Sequence, residues 1–262
     1  MRKKGGLLMK ITLIRNATLY LQYGSSTFLI DPFLAAKGTY PPFPHTANQH
    51  VNNPIVELPA NIDLDKILQP DAVLLTHLHV DHFDDEAKKR LAQTLPIYTQ
   101  SEKDRTEVKE AGFQHVTCIE DEMDVCGVHI KRTGGQHGTG ETAKRMGQVS
   151  GFVFSHPDEP TLYIAGDTIW CDEPKEVVNT CQPDIIVVNS GAAQFLEGDP
   201  ITMTKEEIVD IHHTQPQAQI IACHLEAVNH CLLTRAALTS YIQENHADQA
   251  IFVPQDGETL TF

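Results

Sequence analysis

The chain has 262 residues, long enough to bury a sizeable core and, for an α/β fold, compatible with a single domain. Its 20 Lys and Arg against 35 Asp and Glu leave a formal charge of -15, which repels a phosphate backbone and argues against nucleic acid as a partner. No run approaches the roughly 18 consecutive apolar residues of a membrane helix, and the basic opening MRKKGGLLMK lacks the apolar core and cleavage site of a signal peptide, so a cytoplasmic protein with no membrane partner is expected.

Met9 reads as the start of a single domain over residues 9–262, with residues 1–8 a disordered extension. Runs rich in β-formers at 11–14, 18–22 and 27–30 predict meander strands that end at Asp31-Pro32. Residues 33–62 change character, with Gly38, Pro41, Pro42, Pro44, Asn52, Asn53, Pro54 and Pro59 among few periodic apolar residues. A stretch of that length inside a domain is expected to act as a lid or substrate loop. Next come a strand at 72–75, a helix at 84–93, a strand at 97–99, a helix at 102–111 stopped by Gly112, and a strand at 115–119.

Strands at 128–132 and 151–154 flank a charged loop, and the apolar runs 162–165 and 185–188 read as buried strands that meet polar or glycine residues. Helices at 205–212 and 234–244, with strands at 219–223 and 250–253, complete the pattern. Strands and helices are mixed in both halves, which predicts an α/β architecture of packed sheets covered on their outer faces by helices. The six cysteines, Cys118, Cys126, Cys171, Cys181, Cys223 and Cys231, form no C-x-x-C pair and read as reduced, mostly buried thiols, with Cys223 and Cys231 close to a site.

The chemistry concentrates in THLHVDH, Thr76 to His82, directly after the apolar run 72–75. His77 and His79 are two apart, so on an extended strand end both imidazoles point the same way, while Asp81 and His82 come next as the chain turns. One short segment can thereby serve two adjacent cations, and imidazole with carboxylate suits zinc, manganese or iron better than calcium or magnesium. Three further strand ends carry matching donors: His137 in GGQHG, Asp167 in AGDT and His224 in ACH.

These motifs resemble the metallo-β-lactamase superfamily of metal-dependent hydrolases, in the order THLHVDH, GGQHG, AGDT, ACH, with Asp31 in LIDP closing the first hairpins. The resemblance spans nearly the whole chain and implies a four-layer αββα sandwich with metals at the sheet edges. It implies one cation held by His77, His79 and His137, a second by Asp81, His82 and His224, and Asp167 bridging the two. His79 stands where oxygen-reducing diiron members carry Glu, and THLHVDHFD with an early IDP looks most like the branch containing L-ascorbate-6-phosphate lactonase and N-acylphosphatidylethanolamine phospholipase D. The resemblance therefore implies a hydrolase with two divalent ions, zinc or manganese with iron allowed, acting on a small and anionic metabolite such as a lactone or phosphoester. A metal-bridged water, its pKa lowered toward 7, attacks, and Asp81 and Asp167 are the catalytic carboxylates.

Substrate contacts are sought among His230, six residues beyond His224, and Lys144 and Arg145, which could clamp a phosphate or carboxylate or form a solvated basic turn. His230 could bind substrate or donate a proton, or face solvent. A small-molecule substrate is the expected partner, with a homo-oligomer allowed. A phosphodiesterase or nuclease of the same fold, and a non-catalytic metal-binding or ligand-binding protein, stand as the alternatives.

Overall fold

In the computed structural model, which describes residues 8–262, two seven-stranded sheets lie face to face. Of the expected extension 1–8, all but Leu8 lies outside the described residues. The first sheet contains β1 (Lys10–Arg15), β2 (Thr18–Tyr23), β3 (Ser26–Ile30), β4 (Ala72–Leu74), β5 (Pro96–Thr99) and β6 (His115–Cys118), with β14 (Thr259–Thr261) beside β1. The second contains β7 (Glu122–Val125), β8 (Val128–Thr133), β9 (Gly151–Ser155), β10 (Leu162–Ile164), β11 (Ile185–Asn189), β12 (Gln219–Cys223) and β13 (Ile251–Phe252), side by side in that order.

Each sheet begins antiparallel and continues parallel: β1 to β3 and β7 to β10 are meanders, whereas β3 to β6 and β10 to β13 run parallel. Parallel neighbours need crossover connections, and helices in those connections return the chain along the outer face. On the first sheet these are α2 (Asp85–Arg90) and α3 (Glu102–Glu110), and on the second α5 (Asp172–Cys181), α6 (Lys205–Thr214) and α7 (Arg235–Glu244).

Period-two alternation divides the strands between layers. Leu19 and Leu21, Ala72 and Leu74, Ile185 and Val187 all enter the core between the sheets, while Tyr20 and Val73 face the helices of the first sheet and Ile186 and Val188 those of the second. The three clusters define an αββα sandwich, as the resemblance implied. Side-chain caps from Asp84, Ser101, Thr204 and Thr234 start four of the helices where the sequence placed them.

The differences from the sequence reading are local. The helix expected over 84–93 stops at Arg90, because Leu91 turns extended and is buried. The charged loop after β8 holds a helix, α4 (Gly140–Met146), which buries none of its residues and so shows no apolar stripe. A short α1 (Leu64–Ile67) precedes β4, and α5, β7 and β14 are additions to the elements expected from the sequence.

Residues 33–62 wrap the edge where the strands end, and they are tied there at several points. Tyr40 and Asn53 pair through both backbone hydrogen bonds, and Ile55 N donates to Ala227 O at 2.8 Å. The fully buried Arg15 reaches from β1 to both ends of the wrap: its guanidinium donates to Phe33 O at 2.7 Å, Ala35 O at 2.9 Å and Val56 O at 3.1 Å, and stacks over the Phe33 ring. Replacing Arg15 with Met orphans the buried Phe33 and Ala35 carbonyls and the part-buried Val56 carbonyl, so denaturant unfolding is expected to show a loss of about 1–3 kcal/mol or more. Limited proteolysis should then cut within 33–62 at protease levels that leave the wild type intact.

Candidate metal centre

Six strand ends converge at one edge of the sandwich. Beyond β3 stands Asp31, beyond β4 the segment Thr76 to His82, beyond β8 His137, beyond β10 Asp167, at the end of β11 Asn189, and beyond β12 His224. Carboxyl ends of parallel strands gather on one side of a sheet, which is how residues distant in sequence reach a common centre. Two of these positions require unusual backbone: Asp31 (φ 45) and His224 (φ 61) occupy the left-handed region that non-glycine residues rarely adopt. Gly166, at φ 71, turns the chain so that Asp167 faces inward, and a Cβ there would lie 2.5 Å from Ser150 O.

Side-chain donors form three groups whose ligand atoms lie within 4.8 Å of one another: His77, His79 and His137; His77, His82 and Asp167; Asp81, His82 and His224. All are buried except His79, which is half-buried. The seven residues picked from the sequence are therefore brought together. Asp167 Oδ1 accepts from Asn189 Nδ2 at 2.6 Å, which turns Oδ2 toward His82 Nε2 at 3.2 Å, His137 Nε2 at 3.4 Å and His77 Nε2 at 3.9 Å. The same carboxylate stands 3.7 Å from His224 Nε2, so it spans the groups on either side.

The outward nitrogen of each imidazole is occupied. His82 Nδ1 donates to Asp31 Oδ2 at 2.9 Å and His137 Nδ1 to Ile201 O at 2.8 Å. Thr76 donates its hydroxyl to Asp31 Oδ2 at 2.6 Å, leaving its oxygen to accept from His77 Nδ1 at 3.1 Å. His224 Nδ1 donates to Cys231 Sγ at 3.3 Å, and His79 Nε2 to Met146 O at 3.1 Å. His79 thus presents Nδ1 to the centre and the other four present Nε2, the arrangement in which outer partners fix the tautomer of a ligating histidine.

The inward atoms fit a cation better than they fit one another. His82 Nε2 and His224 Nε2 each lie 3.2 Å from a carboxylate oxygen, yet both are buried without a hydrogen bond. Both nitrogens lie within 4.8 Å of the other ligand atoms of their groups. Electrostatics agrees: burial holds His77 and His79 below the ordinary imidazole value and brings His137 down to about 4, so these three are neutral donors. Against the effect of burial, Asp167 and Asp31 push His82 up to about 10, and Asp167 with Cys231 and Asp81 raises His224. In return, and again against burial, His82 and His224 hold Asp167 well below the usual carboxylate range, and His224, 3.2 Å away, with His82 does the same for Asp81.

His230 is 8% exposed and meets the Phe43 ring edge-on at 4.6 Å, and the loop after β11 brings Phe195 against Thr46 of the wrapping segment. Asn229 joins the two: its side chain accepts from Phe43 N at 3.0 Å and Asn53 Nδ2 at 2.9 Å, and donates to Thr46 Oγ1 at 2.8 Å and Ala47 O at 2.7 Å. Lys144 and Arg145 are placed on the exposed α4, where Lys144 pairs with Glu141 and Arg145 lies over the Phe195 ring at 5.6 Å. Sequence reasoning gives no role to Thr76, Asn16, Phe43 or Asn229, none beyond proximity to Cys231, and places Asn189 only in a strand-end loop lining the site. Asn16 gives the least warning, since it donates to Asp81 O at 3.0 Å from a turn 65 residues away.

Comparison with known proteins gives a consistent picture. Residues 26–225 match the beta-lactamase superfamily domain. The UPF0173 protein YddR of Bacillus subtilis is 46% identical over 257 residues, covering 97% of this chain and 100% of YddR. The crystal structure of isothiocyanate hydrolase from Delia radicum gut bacteria superposes with a TM-score of 0.93 at 42% identity, covering 97% of this chain and 99% of that one. A possible metal-dependent hydrolase from Veillonella parvula gives 0.94 at 38% identity, with 98% and 100% covered.

A divalent cation entering this cluster must displace the protons that His82 and His224 carry in its absence. Calorimetric titration near pH 8 in buffers of different ionisation enthalpy should therefore report net proton release on full loading. For the metal-free protein the sign is set by His82, whose value rises from 6.5 to about 10 on folding. Its stabilisation is complete below pH 6.5 and disappears as pH climbs toward 10, so thermal unfolding of chelated protein should shift to lower temperature across that interval.

Proposed function

The chain belongs to the beta-lactamase superfamily, and from that membership we propose that it is a binuclear metal-dependent hydrolase acting on a small, neutral electrophile of the isothiocyanate type. His77, His79 and His137 would hold one cation and Asp81, His82 and His224 the other, with Asp167 between them. Two divalent ions of zinc or manganese, with iron also suited to the donors, would supply a water ionised near neutral pH and positive charge for the substrate heteroatom. The chain's own residues do the rest. Asn189 keeps the Asp167 carboxylate facing both groups of imidazoles, and Asn16 anchors the turn that carries Asp81. Asp81 is then positioned to orient the attacking water and accept its proton.

The observation that carries the substrate class is the uncharged His230–Phe43 pair, packed edge-on within the field of Asp81, His224, Asp167 and His137, in a chain whose formal charge is -15. A neutral molecule with an apolar tail loses little on entering such a place, whereas an anion would have to draw its compensation from the bound cations alone. This agrees with the activity for which the relative from Delia radicum gut bacteria is named. A lactone or phosphoester bearing negative charge is the second reading. It would require Lys144 to leave Glu141, or Arg145 to leave the face of Phe195, and turn inward.

The deciding experiment is a chelation and refilling series with metal counted per chain, assayed on alkyl and aryl isothiocyanates beside a phosphorylated lactone and a phosphodiester. Near two metals and turnover of isothiocyanates are expected. Turnover confined to the phosphorylated compounds would replace the neutral reading with the anionic one. Asp167→Ala and His79→Ala should each lose bound metal and reduce turnover by at least about 10²-fold while keeping the circular dichroism of the wild type.

A further inference from the structure

His230 stands outside all three donor groups, yet its ring is buried and feels the charges of Asp81, His224, Asp167 and His137. Its Nδ1 has no hydrogen-bond partner among the described residues. A buried polar nitrogen left unpaired is costly, and a partner from outside the chain is one way to meet that cost. The ring is also held from every side. Its backbone carbonyl accepts from Gln194 N at 3.1 Å, Phe43 packs edge-on against it, and the next residue, Cys231, touches His224. The preceding residue is Asn229, whose amide fixes the segment that carries Phe43. Burial brings His230 down to about 4 against the pull of Asp81, so the imidazole is neutral near pH 7. A neutral imidazole in a dry site polarises a substrate by donating a hydrogen bond and keeps its proton.

We propose that His230 is a catalytic residue whose ring N–H donates a hydrogen bond to the substrate heteroatom on which negative charge grows as water adds to carbon. The assignment rests on the reading of the site as a hydrolase of neutral electrophiles. For an isothiocyanate, R–N=C=S, the water oxygen bonds to the central carbon and one C=N electron pair moves to nitrogen, which takes a proton. Cleavage of the C–N bond then releases R–NH2 and O=C=S, with both hydrogens of the water ending on nitrogen. The His230 proton stays on His230 throughout, because the ring stabilises the charge and is not consumed. Phe43 is a positioning residue that keeps the ring aligned.

The test compares loaded wild type, H230F and H230Q on an aryl and an alkyl isothiocyanate, with metal content and melting temperature measured for all three. H230F keeps a planar ring without a donor and should lower kcat on the order of 10²-fold with KM little changed, the loss typical of one missing transition-state donor. H230Q retains an N–H and should recover most of that loss, with a kcat–pH profile of wild-type shape. Wild-type kcat in H230F would overturn the assignment, and so would loss of metal or stability in that variant, or a profile limb that vanishes in H230Q, which would mark proton transfer. Loaded wild type that hydrolyses no isothiocyanate would overturn the substrate reading itself, and this role with it.

Discussion

The Asp31 carboxylate is the joint on which the centre depends. Three donors saturate it at 2.6 to 2.9 Å, Thr76 N, the Thr76 hydroxyl and His82 Nδ1, and its backbone carbonyl accepts from the Thr18 hydroxyl at 2.7 Å. A carboxylate buried to this degree is tolerable only with such a complement of donors. Because Asp31 ends β3 and its donors lie just beyond β4, meeting that electrostatic demand also aligns the two strand ends. His82 is oriented directly and His77 through the Thr76 hydroxyl, so one buried charge sets two imidazoles of the group that includes Asp167. The left-handed backbone at Asp31 is the local strain that this coupling supports.

Polarity is distributed against the overall charge. A chain carrying -15 places its inward carboxylates, Asp81 and Asp167, among five imidazoles, and surrounds that cluster with aromatic rings and side-chain amides. The interior demands cations, while the approach offers neither attraction nor repulsion to an uncharged molecule. Specificity of this kind arises from what a ligand must give up to enter as much as from the contacts it gains.

Legibility in the sequence tracks the range of the interactions. Strands and their terminal donors are readable because an apolar run that stops at His or Asp announces both burial and chemistry, as in Leu74-Leu75 before THLHVDH or Ile220 to Cys223 before His224. The clustering of seven donors and the αββα layering are legible for that reason. Elements on the surface are not: β7 reads Glu-Met-Asp-Val at a sheet edge, and α4 has no buried face to give it a period. Lys144 and Arg145 read as loop residues in the sequence, whereas the helix aligns them with Glu141 and Thr142. Partners that meet only through the fold are also hidden. Asn53 and Asn229 are 176 residues apart, and nothing in either neighbourhood names the other.

The donors around the centre come from both sheets, and this governs when the protein can choose its metal. A chain whose sheets have not yet docked offers only the 77–82 segment as a local His/Asp run, and such a run ranks divalent ions by intrinsic affinity, with copper ahead of zinc and manganese behind. Once His137, Asp167 and His224 have closed in, coordination number and spacing take part in the selection. Exposure to metal before and after the sheets dock would thus be two different competitions for these donors.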